Sequence, residues 1–229
     1  MVVRVVDIET TGTDPATAKI VEIASIDLGR GGEIVARQSH LCNPGIPIPP
    51  ETSEVHHIID ADVKDKPHVS EIIGMYQGAD LFVAHNAAFE QSFLHQLLGE
   101  PKWYCTMKAA LRIWPEAPNH KNNTLRYWRG HFNPLGQMRS TIDAHRALSD
   151  CIVTGALFCD LSGAAPWAEQ MKWQAEPPLY SKFSFGMHKG KRLEDEPGYL
   201  RWIIDKSDMD EGWKFSARYW LDKRGQQAA

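Results

Sequence analysis

A chain of 229 residues, 43% hydrophobic and 24% charged, with no apolar run approaching about 18 residues, excludes a disordered polypeptide, a membrane span and a secretory leader. Its length suits one well-buried core plus a small second module, and its net charge of −4 excludes any general electrostatic pull on nucleic acid. A polyanionic partner would have to be held by a local patch or by bound cations.

Three β-rich runs come first, "VVRVVDIE", "KIVEIASIDL" and "EIVARQSHLC", joined by the turn-rich "TTGTDPAT" and "GRGG". Connections of that length predict an antiparallel meander. After the proline-rich "NPGIPIPPE", the segment "VSEIIGMYQGA" predicts a helix, "DLFVAHN" a short buried strand and "AAFEQSFLHQLLG" an amphipathic helix capped by Asn86 and closed at Gly99. A further strand at "WYCTM" makes the sheet mixed, with helices on it. "DAHRALSDCIVTGALFCDL" predicts a long helix with Leu148, Cys151, Ile152, Gly155 and Cys159 on one inward face. Small residues and three prolines then predict a linker over 166–179, which separates a domain of residues 1–165 from an aromatic-rich module at 180–229. The four cysteines have no C-x-x-C spacing and read as reduced core thiols, which fits a cytoplasmic protein.

Carboxylates stand where the periodicity calls for apolar or turn residues. Asp7 and Glu9, two apart on the first strand, project to one face, and two carboxylates about 4 Å apart repel by roughly 4 kcal/mol at an effective dielectric near 20. A shared proton, a basic neighbour or a divalent cation would offset that cost; alternatively Glu9 turns into solvent and Asp7 caps the turn. Glu90 falls in the first turn of the helix after Asn86, where an acid also simply complements the helix dipole. His145 and Asp150 lie five residues apart, about 140° around a continuous helix, so they border one cavity only if His145 precedes the helix.

Taken in order, "DIETTG", "HNAAFE" and "HRALSD" resemble the three sequence blocks of the DnaQ-like 3′ to 5′ exonucleases with a catalytic histidine. "PIPPETSEVHHI", "CTMKAALRIWP" and the tail "FSFGMHKGKRLEDEPGYLRWII" extend the resemblance over nearly the whole chain, toward the exonuclease X subfamily. The resemblance implies an RNase H-like α/β fold, a mixed sheet flanked by helices, in which Asp7, Glu9, Glu90 and Asp150 hold two Mg2+ or Mn2+ ions. It also implies that His145 is the base that takes a proton from the attacking water. Glu90 departs from the family's usual aspartate.

The resemblance further places Thr10, Thr11, Gly12, His56, His85 and Asn86 beside the terminal nucleotide, and Lys189, Lys191 and Arg192 on a turn that tracks phosphates. Trp202, Trp213, Tyr219 and Trp220 read as a miniature core, with base stacking as the alternative. The implied reaction is removal of 5′-mononucleotides from 3′ ends of single-stranded and duplex DNA, in repair or recombination. RNA trimming, a polymerase proofreading role, a non-catalytic binding module and a homodimer all stay open, and a membrane partner is not expected.

Overall fold

The computed structural model describes residues 1–227. It divides into two compact units, residues 1–107 with 118–164, and residues 108–117 with the chain from Ala165 onward.

In the first unit, strands β1 (Val3–Thr10), β2 (Ile20–Leu28) and β3 (Ile34–Leu41) form the expected meander, and β4 (Leu81–Ala84) and β5 (Trp103–Cys105) add to its other side. The sheet order is β3-β2-β1-β4-β5, antiparallel among the first three strands and parallel from β1 to β4 to β5. Helices α1 (Pro50–His56), α2 (Asp60–Val63) and α3 (Val69–Ile72) fill the connection from β3 to β4. The helix expected over "VSEIIGMYQGA" stops at Ile72 and tightens into a 3-10 turn over Ile73–Tyr76, with the buried Tyr76 hydroxyl donating to the Ile23 carbonyl at 2.9 Å. Helix α4 (Ala88–Leu98) follows β4; α5 (Thr106–Ile113) runs on from β5, its residues from Lys108 belonging to the second unit; α6 (Asn122–Trp128) and α7 (Ala147–Ser162) complete the first.

Alternation along β1 decides what each face carries. Val6 and Ile8 enter a core with Ile20, Ile23, Tyr76, Phe82 and Leu94, while Asp7 and Glu9 must point to the opposite face, against which α7 lies. Two irregularities leave room there. A bulge places Val21 as the extra residue of β2 opposite Glu9 and Thr10, and pairing of β1 with β4 stops at Val5, so residues 7–10 have a sheet neighbour on the β2 side only.

Helix α7 lies close on the sheet because Gly155 has no side chain. A Cβ there would come within 3.0 Å of Ile26 Cδ1 and Leu135 Cδ1. We expect Gly155→Val to destabilise the protein by about 1–3 kcal/mol through overpacking, read as a lower urea midpoint at unchanged slope.

The second unit holds α8 (Trp167–Ala175), and α9 (Pro197–Lys206) and α10 (Glu211–Gln227), which pack around Phe183, Leu193, Leu200, Ile203, Trp213, Ala217 and Trp220. Tyr180 stacks on Trp213 at 4.2 Å between centroids, and Trp220 Nε1 donates to the Tyr180 carbonyl at 2.7 Å. The stretch 166–179, expected as a linker, is mostly helix α8. Its prolines flank that helix instead of breaking it: Pro166 precedes its first residue, and Pro177 and Pro178 follow Glu176. Lys108 Nζ donates to the Gln174 carbonyl at 2.9 Å, and the Arg112 guanidinium pairs with Glu176, joining 108–117 to this unit.

Candidate active site

Two of the three acidic blocks meet at the end of β1. One carboxylate oxygen from each of Asp7, Glu9 and Asp150 lies within 4.8 Å of the other two. β1 supplies the first two on one face, and the first turn of α7 supplies Asp150. Glu90, in the first turn of α4, stands outside this group of three, yet its charge still bears on Asp7.

Burial and mutual repulsion raise the proton affinity of these acids. Burial pushes Asp7 well above the usual carboxylate range, and the charges of Asp150, Glu90, Glu9 and Glu22 add to it. Glu9 is pushed up to about 8 by burial, then by Asp150 and Glu22, with Arg146 opposing. Glu90 is only 3% exposed and rises to about 8 through burial, with Glu9 adding. Its Oε2 is enclosed without a hydrogen-bond partner. Burial also raises Asp150, although its Oδ2 accepts from the His145 backbone N–H at 2.9 Å and Asn122 Nδ2 lies 3.4 Å from Oδ1.

His145 sits before α7, as the spacing required. The helix expected from Asp143 starts only at Ala147, and His145 is exposed with φ 59°, a left-handed conformation unusual for a residue bearing a Cβ. Residue 145 therefore borders the acid cluster through its backbone N–H to Asp150, outside the helix that carries Asp150.

The expected nucleotide contacts divide. Thr10 and Thr11 are buried and their hydroxyls are committed internally: Thr10 Oγ1 donates to the Gly12 carbonyl at 2.6 Å, and Thr11 Oγ1 accepts from the Lys19 N–H at 3.0 Å. His56 is 2% exposed, and its Nδ1 accepts from the Ile58 N–H at 3.1 Å. Burial lowers its pKa, a backbone hydrogen bond to Thr10 opposing, and the neutral ring carries its proton on Nε2.

His85 departs from expectation. Its Nε2 lies 2.8 Å from the His120 carbonyl and must donate, so Nδ1 accepts from the Thr106 hydroxyl at 2.8 Å. With both nitrogens engaged and burial holding it neutral, its pKa pushed down to about 4, it ties β4 to the segment before α6 and has no ring nitrogen left for a nucleotide. Asn86 is exposed but does not cap α4 with its side chain; it takes φ 64°, and its carbonyl accepts from the Phe89 N–H. In the second unit Lys191 pairs with Glu196 and Arg192 with Glu194, while Lys189 is exposed. Trp213 and Trp220 are core, as expected; Trp202 and Tyr219 are largely exposed, and Trp202 stacks on Tyr199 at 5.3 Å.

Sequence reasoning missed three residues at the site. Asn122 reaches Asp150. Glu22 is 2% exposed and is gripped by Arg146, whose Nε and Nη2 lie 3.1 and 3.0 Å from its oxygens. The signal for Glu22 was present: it is the one acid inside the apolar run "KIVEIASI" of a strand buried almost throughout.

The donor set suits a hard divalent cation. It is all oxygen, its charges repel one another, and one buried oxygen lacks a partner. A model of the exonuclease (RNase_T) family matches residues 5–158.

The chain belongs to the exonuclease family. It is a 3′ to 5′ exonuclease, a phosphodiester hydrolase of the DnaQ-like group, and divalent-metal dependence is typical of that family. This exonuclease is 38% identical over 226 residues to exodeoxyribonuclease 10 of Escherichia coli strain K12, across 96% of this chain and 98% of that protein. The solved structure of exonuclease X in complex with 5′ overhanging duplex DNA matches it with a TM-score of 0.62 at 40% identity, over 74% of this chain and 96% of that one. Escherichia coli exonuclease I in complex with a dA16 oligonucleotide matches with a TM-score of 0.60 at 13% identity, over 75% of this chain and 42% of that one, a likeness of fold. Among the described residues no helix is long and apolar enough to cross a membrane.

Proposed function

We propose that this exonuclease is a metal-dependent exodeoxyribonuclease of DNA repair or recombination that releases 5′-mononucleotides from the 3′ ends of single-stranded and duplex DNA. The observation that carries the reading is the convergence of Asp7, Glu9 and Asp150 within 4.8 Å, with residue 145 bordering them through its backbone N–H to Asp150. The full-length similarity to an exodeoxyribonuclease supports deoxynucleotide chemistry. Four free cysteines, three of them buried, are in keeping with a cytoplasmic enzyme.

In this reading Asp7, Glu9, Glu90 and Asp150 hold two Mg2+ or Mn2+ ions. When bound, the cations neutralise the acids, polarise the scissile phosphate and ease ionisation of the attacking water. His145 accepts that water's proton from a solvent-facing position where it exchanges readily with bulk. Backbone at Thr10, Thr11 and Gly12 receives the terminal nucleotide, with the neutral His56 ring buried beside Thr10.

Incubating end-labelled DNA and RNA of matched sequence with each metal, and resolving products by length, tests the proposal. Stepwise shortening of DNA from the 3′ end, abolished by Asp7→Ala, is the expected result. Internal cuts, or RNA shortened in preference to DNA, would overturn it.

Glu90 carries one methylene more than the usual aspartate. We expect Glu90→Asp to change the ratio of Mg2+-supported to Mn2+-supported kcat by about tenfold, with little change in KM for DNA, measured by parallel titrations of the two metals.

We also propose that the second unit follows DNA beyond the terminal nucleotide through Lys189, Lys191 and Arg192. The ion pairs of Lys191 and Arg192 are on the surface and weakened by solvent, so phosphates can replace them. Lys189→Glu with Lys191→Glu is expected to weaken binding of a long oligonucleotide, to flatten its salt dependence by about two counterions, and to leave hydrolysis of a thymidine 5′-monophosphate ester unchanged.

A further inference from the structure

We infer that Glu22 and Arg146 form a positioning pair that aims His145, an inference that rests on the proposed role of His145 as the base. His145 is exposed, and among the described residues no hydrogen bond holds its ring. Its direction therefore depends on its backbone, which adopts a left-handed conformation uncommon for a residue bearing a Cβ and is held there by contacts on both sides.

Toward the cluster, the His145 N–H donates to Asp150 Oδ2 at 2.9 Å. Away from it, Glu22 holds the next two residues: Arg146 through Nε at 3.1 Å and Nη2 at 3.0 Å, and Ala147 through its backbone N–H at 3.1 Å. Ala147 is the first residue of α7, so its N–H is a donor that the helix itself cannot satisfy. A strand carboxylate 125 residues away in sequence thus caps the helix that carries Asp150. Ser39 Oγ adds a fourth donor to Glu22 at 3.3 Å.

The ladder pairs Glu22 with Glu9, so the two share one face of the sheet, and the clamp on Arg146 is built on the same strand pair that presents Asp7 and Glu9. A shift of β1 and β2 would carry acids and clamp together. Two side chains with no assigned part in the chemistry thereby keep the imidazole in register with the acids, where a displacement of about 1 Å is enough to cost a hundredfold in rate.

The test compares Arg146→Met, Arg146→Lys and Glu22→Gln in the full chain, each with His145 intact and in a His145→Asn background, using an end-labelled oligonucleotide and saturating Mn2+. With His145 present, Arg146→Met should lower kcat about tenfold or more with KM within about twofold, and Arg146→Lys should recover most of the loss. In the His145→Asn background the same substitutions should change kcat by less than about twofold, because the group they aim is gone. Equal losses in both backgrounds, or a raised KM with kcat intact, would overturn the inference, the second by making Arg146 a DNA contact. If Arg146→Met fails to fold, the isosteric Glu22→Gln carries the same comparison. Undiminished kcat in His145→Asn alone would defeat the proposed base, and the pair's role with it.

Discussion

Asp7→Asn is expected to cripple hydrolysis and, in the same molecule, to make the metal-free protein more stable. Asp7 stands among Asp150, Glu90, Glu9 and Glu22, all of which push its proton affinity up. Removing its charge relieves repulsion that amounts to roughly 3–4 kcal/mol per close pair at an effective dielectric near 20, before any sharing of protons. A net gain of about 1 kcal/mol, or roughly 2–4 °C in Tm, is the expected size in EDTA at pH 8.5. Activity should fall by about a thousandfold, the scale of losing a preorganised electrostatic element.

The pH dependence follows from the same groups. Glu9 and Glu90 have folded-state values near 8, above those of an unfolded chain, so the folded state binds the additional protons. Their contribution is fully present below the unfolded carboxylate range and is lost as pH rises through about 8. Thermal melts in EDTA should thus show Tm falling between pH 5 and pH 9. Added Mn2+ should raise Tm most at the alkaline end, and Asp7→Asn should flatten both trends. A metal-free protein whose Tm climbed over that interval would contradict the charge crowding described for the site.

Replacing His145 should cost about 10²–10⁴ in kcat, the usual contribution of a positioned base, while leaving the Mn2+-dependent rise in Tm intact. Asparagine is the informative substitute, since it tolerates the left-handed backbone at residue 145 better than alanine does. Alanine would confound loss of the imidazole with relaxation of the turn and a weakened His145 N–H to Asp150 contact. Loss of metal-dependent stabilisation in His145→Asn would instead make residue 145 part of the metal site.

What was legible in the sequence followed from periodicity. A two-residue repeat was enough to put Asp7 and Glu9 on one face of β1. The five-residue gap between His145 and Asp150 required the histidine to precede the helix, and α7 indeed begins two residues after it. Contacts made across the ladder or between distant segments had no such local trace. The pairing of Glu22 with Arg146 depends on strand register and on where α7 docks, and neither is written in the residues around either partner. His85 shows the converse difficulty: a histidine beside an asparagine at a strand end looks like a ligand, and only the fold reveals that Thr106 and the His120 carbonyl already occupy its nitrogens. In the stretch 166–179 the prolines do not break the chain but bound α8, a distinction that their spacing alone does not carry.

Because the ladder between β1 and β4 ends at Val5, the backbone from Asp7 to Thr10 is protected by a strand on its β2 side only. Amides of that stretch directed at β2 will exchange with deuterated solvent over the lifetime of the whole fold, and those directed the other way over that of the solvent at the gap. Occupation by a nucleic acid end would slow the second set selectively, so hydrogen exchange at four consecutive residues reports ligand arrival independently of any bond being cut.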